Sequence, residues 1–363
     1  MRVVIKIGSS SLTDASGAID VGSIKRISRQ VSTTVADGHE VVIVSSGAVA
    51  SGMPVLGIDT DRRPTDSKTL QAISAVGQAR LMQCWNEAMD SHRLIVGQVL
   101  LAPRDFMMRT QYLQARGTLD RLLELGVVPI VNENDTVADD EIRFGDNDRI
   151  AALVAHIIRA DLLVILTDMP GLMDADPRLS EDASLIEEIE EVNNDLEALA
   201  GGAGSARGSG GMASKLAAAK MASWSGVRVV IAAAGRPDVL TDAIGGRPGI
   251  GTTVLARSQR LSARKLWIAF AVPAMGRIVV DDGAARALTE RGRSLLAAGI
   301  VDIDGTFAAD DAVEVVDNRG RLLAKGLSHY GASGVRAMAG RRSDELTEGS
   351  GEVIHRDDMV IMP

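Results

Sequence analysis

Two lysines stand where lysines are costly, and their settings point to the same chemistry. Lys6 interrupts the apolar run "VVIKIG" (3–8), and Lys215 lies within "ARGSGGMASKLAAAK" (206–220). A lysine inside an apolar strand loses hydration unless an anion pairs with it. An edge strand turning Lys6 to water is the other reading, and the apolar neighbours on both sides argue against it. Lys215 falls near the start of a helical segment, where a cation opposes the helix macrodipole. The glycines before it would present backbone N–H groups to the same place, as phosphate-binding turns do. The segment is not a G-x-x-x-x-G-K-[ST] loop, because Lys215 comes four residues after Gly211 and is followed by Leu216. Taken alone, it also reads as a surface loop with a solvated lysine.

Three further polar groups deserve the same question. "SSGAVASG" (45–52) combines small residues with a helix start, which lets backbone N–H groups approach an anion, although many tight turns look alike. "NENDTV" (132–137) and "FGDNDR" (144–149) crowd short amides and carboxylates beside an apolar run. They form either a turn with helix caps or a polar binding site, and one cap at Asp146 or Asn147 explains one residue rather than both clusters.

The elements that must hold these residues follow from periodicity. Apolar runs at 3–8, 40–47, 94–101, 127–135, 162–168 and 227–235 read as strands covered on both faces. Helical patterns near 20–37, 66–91, 109–125, 147–159 and 212–225 lie between them. This alternation predicts an α/β fold, a three-layer αβα sandwich around a mainly parallel sheet. In such sheets ligands sit at the carboxyl ends of the strands, where every polar cluster above falls. Residues 1–257 form this domain, the polar and basic stretch 258–272 is a linker, and 273–363 is a small β-rich domain with shorter runs and a "DNRG" turn.

Bulk composition narrows the function. The chain has 363 residues, a net charge of −9 and 2% aromatic residues. The acidic balance argues against nucleic acid as the main partner. The single cysteine, Cys84, excludes an internal disulfide, fits a reducing compartment, and reads as a buried structural thiol. No apolar run is long enough to span a membrane and no secretory segment opens the chain, so the expected location is the cytoplasm.

Together "VVIKIGSS", "VIVSSGA", "VPIVNENDTV", "FGDND", "LLVILTDMPGL", "DADP" and "SGGMASK", in this order, resemble the glutamate 5-kinases of the amino acid kinase superfamily. The tail, ending in "IHRDDM", resembles their PUA domain, so the likeness covers essentially the whole chain. The resemblance implies phosphorylation of the γ-carboxylate of L-glutamate by ATP with Mg²⁺, no dedicated metal cage, feedback inhibition by proline, and a homo-oligomer, dimer or tetramer. It makes Lys6 and Lys215 the phosphoryl-contacting lysines, organised by Asp148, and assigns glutamate to Ser46, Asp135 and Asn147. Gly8, Thr167, Asp168 and the run Ser209, Gly210, Gly211, Met212, Ala213, Ser214 to Lys215 contact the nucleotide, with the loop 201–211 closing over ATP. Ser209, Ala213 and Met173 depart from the usual residues at their positions.

The chemistry agrees with the inventory. A carboxylate nucleophile is already ionised at neutral pH, so no general base is needed, and no motif of residues 1–257 offers a histidine. The obstacle is charge: an anion must meet a triphosphate, which calls for cations and N–H donors held in line. Glutamate also needs partners for its α-groups. Asp135 suits the ammonium, and Asn134, Asn147 and the Ser46–Gly47 turn suit the remainder. Acetylglutamate kinase and aspartokinase would share the sheet and both lysines. An RNA-binding tail is the alternative from another class. Residues 273–363 carry 11 Lys and Arg against 15 Asp and Glu, a poor match for a phosphate backbone.

Overall fold

The first strand, β1 (Arg2–Ile7), has Val or Ile at every position but Arg2 and Lys6, and it lies in the middle of the sheet. The computed structural model describes residues 1–106, 108–137, 147–175, 180, 182–201, 211–342 and 351–362. They form two compact units, Met1–Arg260 and Leu261–Pro363.

In the first unit β1 is followed by α1 (Ser9–Leu12), α2 (Val21–Ala36), β2 (Glu40–Ser45), α3 (Ala48–Val55) and α4 (Ser67–Asp90). Next come β3 (Ile95–Leu101), α5 (Arg109–Glu124), β4 (Val127–Glu133), α6 (Asn147–Ile157) and β5 (Leu162–Thr167). The unit ends with β6 (Glu188–Ile189), α7 (Asn194–Ala200), α8 (Met212–Trp224), β7 (Arg228–Ala233), α9 (Val239–Gly245) and β8 (Thr252–Val254). The strand order is β3-β4-β2-β1-β5-β7-β8-β6, and every pairing is parallel except β7 with β8.

Alternation along β1 divides the two faces. Val3, Ile5 and Ile7 enter a core with Ile24 and Ile27 of α2, Leu81 and Trp85 of α4, and Val239 of α9. Lys6 points the opposite way, as the two-residue period requires, toward the face covered by α6 and α8. On the first face, the buried indole of Trp85 donates to Ser45 Oγ at 2.9 Å, which pins α4 to the end of β2. Helices α3 and α4 meet backbone to backbone: a Cβ on Gly77 would collide with the Ala48 carbonyl, and one on Gly52 with the Ile73 carbonyl.

Three features differ from the sequence reading. Strand β3 is an edge strand with Ile95 66% exposed, so an apolar run there does not mean cover on both faces. Cys84 is half-buried rather than enclosed. The stretch 258–272, read as a linker, folds: α10 (Ala263–Leu266) runs into a π-helical turn, Trp267–Ala271, and buries Leu266 and Ile268. Ser262 caps that helix by accepting from the Lys265 N–H, and the Lys325 ammonium donates to the carbonyls of Ala269 and Val272.

The second unit continues with β9 (Gly276–Val280), α11 (Asp282–Thr289), β10 (Leu295–Leu296), β11 (Ile300–Gly305), β12 (Ala312–Val316) and β13 (Leu322–Leu327). It closes with α12 (Ala332–Met338), β14 (Glu352–Ile354) and β15 (Met359–Ile361). Its main sheet is ordered β11-β9-β12-β13-β15, around a core that includes Ile278, Val313, Val315 and Val353. The "DNRG" signal is the β12–β13 turn: Asp317 Oδ1 accepts from the N–H groups of Arg319 and Arg321, and Gly320 takes φ 78°.

One half-buried titratable group on α6 gives the first unit a pH dependence. His156 packs near Tyr112, ring centroids 6.3 Å apart, and its Nε2 has no hydrogen-bond partner among the described residues. Burial, aided by Arg260 and Arg159, brings its pKa down from 6.5 to about 4. The folded state therefore holds the ring neutral while the unfolded chain protonates near the ordinary value. The stability is complete above that value and is lost as pH falls toward 4, by about 2 kcal/mol at pH 5. Urea unfolding at pH 7.5 and pH 5 should show this loss, and His156→Leu should remove it. An equal loss in the variant would assign the effect elsewhere.

Candidate active site

Lys6 and Lys215 come from segments more than two hundred residues apart and meet on one carboxylate. Lys6 Nζ lies 2.6 Å from Asp148 Oδ1, and Lys215 Nζ lies 3.4 Å from Asp148 Oδ2. All three are buried, with Asp148 only 2% exposed. Strand β1 delivers Lys6 by alternation, the first turn of α6 delivers Asp148, and the first turn of α8 delivers Lys215. The single Ser214 O–H is shared between Asp148 Oδ2, 2.7 Å away, and the Gly211 carbonyl, 3.0 Å away, tying the start of α8 to the same carboxylate.

The charges are mutually dependent. Burial alone would raise the Asp148 pKa, but the Lys6 and Lys215 ammoniums outweigh it and hold the carboxyl below its ordinary value. Burial lowers the Lys215 pKa against the pull of Asp148, and Lys6 adds to the lowering. One carboxylate thus faces two ammoniums, leaving net positive charge for an incoming anion. Space is provided beside it: a Cβ on Gly8 would stand 3.4 Å from Lys6 Nζ, so the glycine keeps that approach open. No side chain caps α8 at Gly211, so its first N–H groups point to the same region.

A second cluster forms next to Asp148. Asn147 Nδ2 donates to Ser46 Oγ at 3.1 Å and to Asn132 Oδ1 at 3.0 Å, while Asn147 Oδ1 accepts from the Glu133 N–H at 3.2 Å. One amide therefore joins the ends of β2 and β4 to the start of α6. Gly47 takes φ 107°, a left-handed geometry that turns the chain from β2 into α3 and that other residues adopt only with strain. Asp135, in the short helical turn Asp135–Val137, is 8% exposed and accepts a hydrogen bond from Ser74 of α4. Burial raises its pKa, against the Ser74 hydroxyl and the Arg63 guanidinium.

The expected residues separate into three groups. Lys6, Gly8, Asp148, Ser214 and Lys215 gather at one point, and Ser46, Gly47 and Asn147 lie beside it through the Asn147 amide. Thr167 donates to the exposed Asp168 at 3.0 Å at the end of β5, and Asp168 acts electrostatically on Lys215. Asn134 keeps its side chain in its own turn, accepting from Thr136 Oγ1 at 2.6 Å. Met212 is half-buried and Ala213 exposed on the first turn of α8. Ser209, Gly210, most of the loop 201–211, residues 138–141 of "VADDE", 144–146 of "FGDNDR" and 176–177 of "DADP" lie outside the described residues.

Sequence reasoning passed over Asn132 and Ser74. The first is the other asparagine of "NENDTV", and its buried side chain, rather than that of Asn134, joins Asn147. The second is a serine on the buried side of a long apolar helix, and a polar residue in such a stripe was the available signal.

Known proteins match the sequence along the whole chain. The model of the amino acid kinase family matches residues 1–233, and that of the PUA domain matches residues 276–349. The chain is 42% identical to glutamate 5-kinase of Caldanaerobacter subterraneus subsp. tengcongensis, covering 100% of this chain and 98% of that protein. It is 45% identical to glutamate 5-kinase of Herminiimonas arsenicoxydans, covering 99% and 98%. The chain belongs to the glutamate 5-kinase family. Among solved structures, carbamate kinase from Giardia lamblia bound to AMP-PNP shares the fold, with a TM-score of 0.50 at 18% identity, over 70% of this chain and 98% of that one. In this chain an amino acid kinase domain is followed in sequence by a PUA domain.

For this family member the buried charge triad has a direct energetic consequence. Asp148→Asn keeps the shape but leaves two buried ammoniums facing a neutral amide. Breaking such a grouping costs about 3 kcal/mol or more. Urea unfolding at pH 7.5 should show a loss of that order, and an unchanged midpoint would show that the lysines need no counter-charge.

Proposed function

We propose that this chain transfers the γ-phosphoryl group of ATP to the γ-carboxylate of L-glutamate, giving L-glutamyl 5-phosphate and ADP, the first step toward proline. The observation that carries the reading is the convergence of Lys6 and Lys215 on Asp148 beside the Ser46–Asn147 cluster, in a member of the glutamate 5-kinase family.

In this mechanism a γ-carboxylate oxygen forms a bond to the γ-phosphorus while the bond from that phosphorus to the bridging oxygen of ADP breaks. The nucleophile arrives ionised, so no proton must be removed. What the chain supplies is charge and alignment. Lys6 and Lys215 face the phosphoryl group, where preorganised cations act on the charge that spreads over its oxygens. Asp148 holds both ammoniums in place between turnovers. Ser46, Gly47 and Asn147 hold glutamate, Asp135 pairs with its α-ammonium, and Gly8, Thr167, Asp168 and the run 209–215 hold the nucleotide.

The donor set suits ATP that brings its own Mg²⁺. Both Asp148 oxygens are engaged by lysines and Ser214, the adjoining Ser46, Asn132 and Asn147 offer a hydroxyl and two amides, and the Asp168 carboxylate stands exposed at the end of β5. Mg²⁺ arriving with ATP would supply neutralisation of the phosphate charge. Feedback inhibition by proline and a homo-oligomer, dimer or tetramer, complete the proposal, with work in the cytoplasm. The edge strand β3, which leaves Ile95 and Leu100 exposed, supports self-association. Among the described residues no helix is long and apolar enough to cross a membrane.

The test is ADP release with glutamate, N-acetylglutamate, aspartate, carbamate and UMP, and hydroxylamine trapping of the acyl phosphate. Glutamate alone should give both ADP and hydroxamate, and Lys215→Ala should lower kcat at least a hundredfold with the fold retained by circular dichroism. Equal turnover of another substrate, or near-normal kcat in the variant, would overturn the assignment. Asp135→Asn should raise KM for glutamate about tenfold and leave KM for ATP nearly unmoved, as loss of a charged contact to one substrate requires. Equal changes in both would remove Asp135 from the glutamate site.

A further inference from the structure

Helix α4 is apolar where it faces the sheet, with Leu70, Ile73, Leu81, Trp85 and Met89 buried, yet it buries two polar side chains one turn apart. Ser74 and Gln78 are separated by four residues and so share a helix face. Both reach the end of β4. The Ser74 hydroxyl donates to Asp135 Oδ2, and Gln78 Nε2 donates to the Glu133 carbonyl at 3.5 Å. Ser74 is 0% exposed, and water cannot replace its bond to the carboxylate. The helix is held firmly behind it, since Gly77 packs against the backbone of α3 and Trp85 is anchored to Ser45.

We propose that Ser74 is a positioning residue for glutamate binding, whose hydroxyl grips one oxygen of the Asp135 carboxylate and aims the other at the α-ammonium of the substrate. The proposal deepens the proposed function and rests on the reading of Asp135 as the ammonium partner. A carboxylate this enclosed needs help on two counts. It must remain ionised although burial favours the neutral acid, and it must keep one rotamer although its residue begins a turn of only three residues. A donor on a rigid helix does both, because a hydrogen bond to the charged form favours that form and fixes its direction. Among the described residues Arg63, on the stretch ahead of α4, is the charged group that acts on the same carboxylate, and it is exposed and screened by solvent. The buried hydroxyl therefore carries the directional part.

The experiment compares Ser74→Ala, Ser74→Thr, Asp135→Asn and the Ser74→Ala/Asp135→Asn double variant, using the full chain and steady-state kinetics with glutamate and ATP across pH 5 to 8. Ser74→Ala should raise KM for glutamate about tenfold, the order expected for a lost hydrogen bond to a charged group. KM for ATP should change less than twofold, and the acid limb of kcat/KM for glutamate should move to higher pH. Ser74→Thr retains the hydroxyl and should recover most of the affinity. The double variant should resemble Asp135→Asn alone. Thermal unfolding of each variant separates a folding defect from a binding one. Should Asp135→Asn raise KM for glutamate while Ser74→Ala changes neither KM nor the acid limb, the positioning role is wrong and the Asp135 assignment survives. Should Asp135→Asn itself leave KM for glutamate unmoved, the underlying reading is wrong and the proposal falls with it. A rise in KM in Ser74→Ala that adds fully to that of Asp135→Asn would also overturn it, since the hydroxyl would then act by another route.

Discussion

A single buried carboxylate shared by two buried ammoniums is the constraint around which the first unit is organised. Neither lysine could occupy its place alone: Lys6 would be an unpaired charge in the central strand, and Lys215 a cation at the wrong end of a helix dipole. Asp148 makes both tolerable, and it does so from a third element, so the positions of β1, α6 and α8 are coupled through one side chain. The parallel sheet explains how this is achieved with so few residues. Parallel strands end at the same edge, and the segments that leave them begin there, so residues remote in sequence are delivered to one line.

The second cluster uses the same logic with uncharged groups. Asn147 precedes Asp148 by one residue, and its amide links the ends of β2 and β4. The first residues of α6 therefore address two neighbouring regions, one with cations and one with hydroxyls, amides and the Asp135 carboxylate. A substrate that is an anion at one end and an amino acid at the other finds both kinds of partner within one edge of the sheet.

Much of this was legible from residue types. Lys6 among Val and Ile, and Lys215 behind glycines, were conspicuous because each violates a local preference, and such violations are where function concentrates. The strands β1, β2, β4, β5 and β7 were legible as continuous apolar runs. Strand β3 reads the same way but lies at the edge, because an apolar run does not state how many neighbours a strand has. The short elements α7, α9, β6 and β8 were missed, and α3 was legible only as a helix start: each has eight residues or fewer, too few for a period to emerge. In the tail, α11 and α12 are equally short, and "DNRG" was readable because turn chemistry is local. Within the site, Asn132 and Asn134 are indistinguishable in sequence. Strand alternation and the turn after β4 send one inward to Asn147 and the other back onto Thr136. Ser74 depended on knowing what α4 faces, which is tertiary information.

The glycine contact between α3 and α4 has a consequence for how this edge of the molecule can vary. Most helix pairs are separated by side chains that can rotate or shorten when a neighbour changes, so small errors are absorbed locally. Here Gly52 and Gly77 bring main chain against main chain, like a dovetail joint with no filler. A single added methyl group has nowhere to go except into displacement of a whole helix. Because the Ser46–Gly47 turn leads directly into one half of the joint and Ser74 sits one turn from the other, that displacement would spread the polar groups at its two ends apart. Tolerance to substitution in these helices is thus set less by hydrophobicity than by thickness.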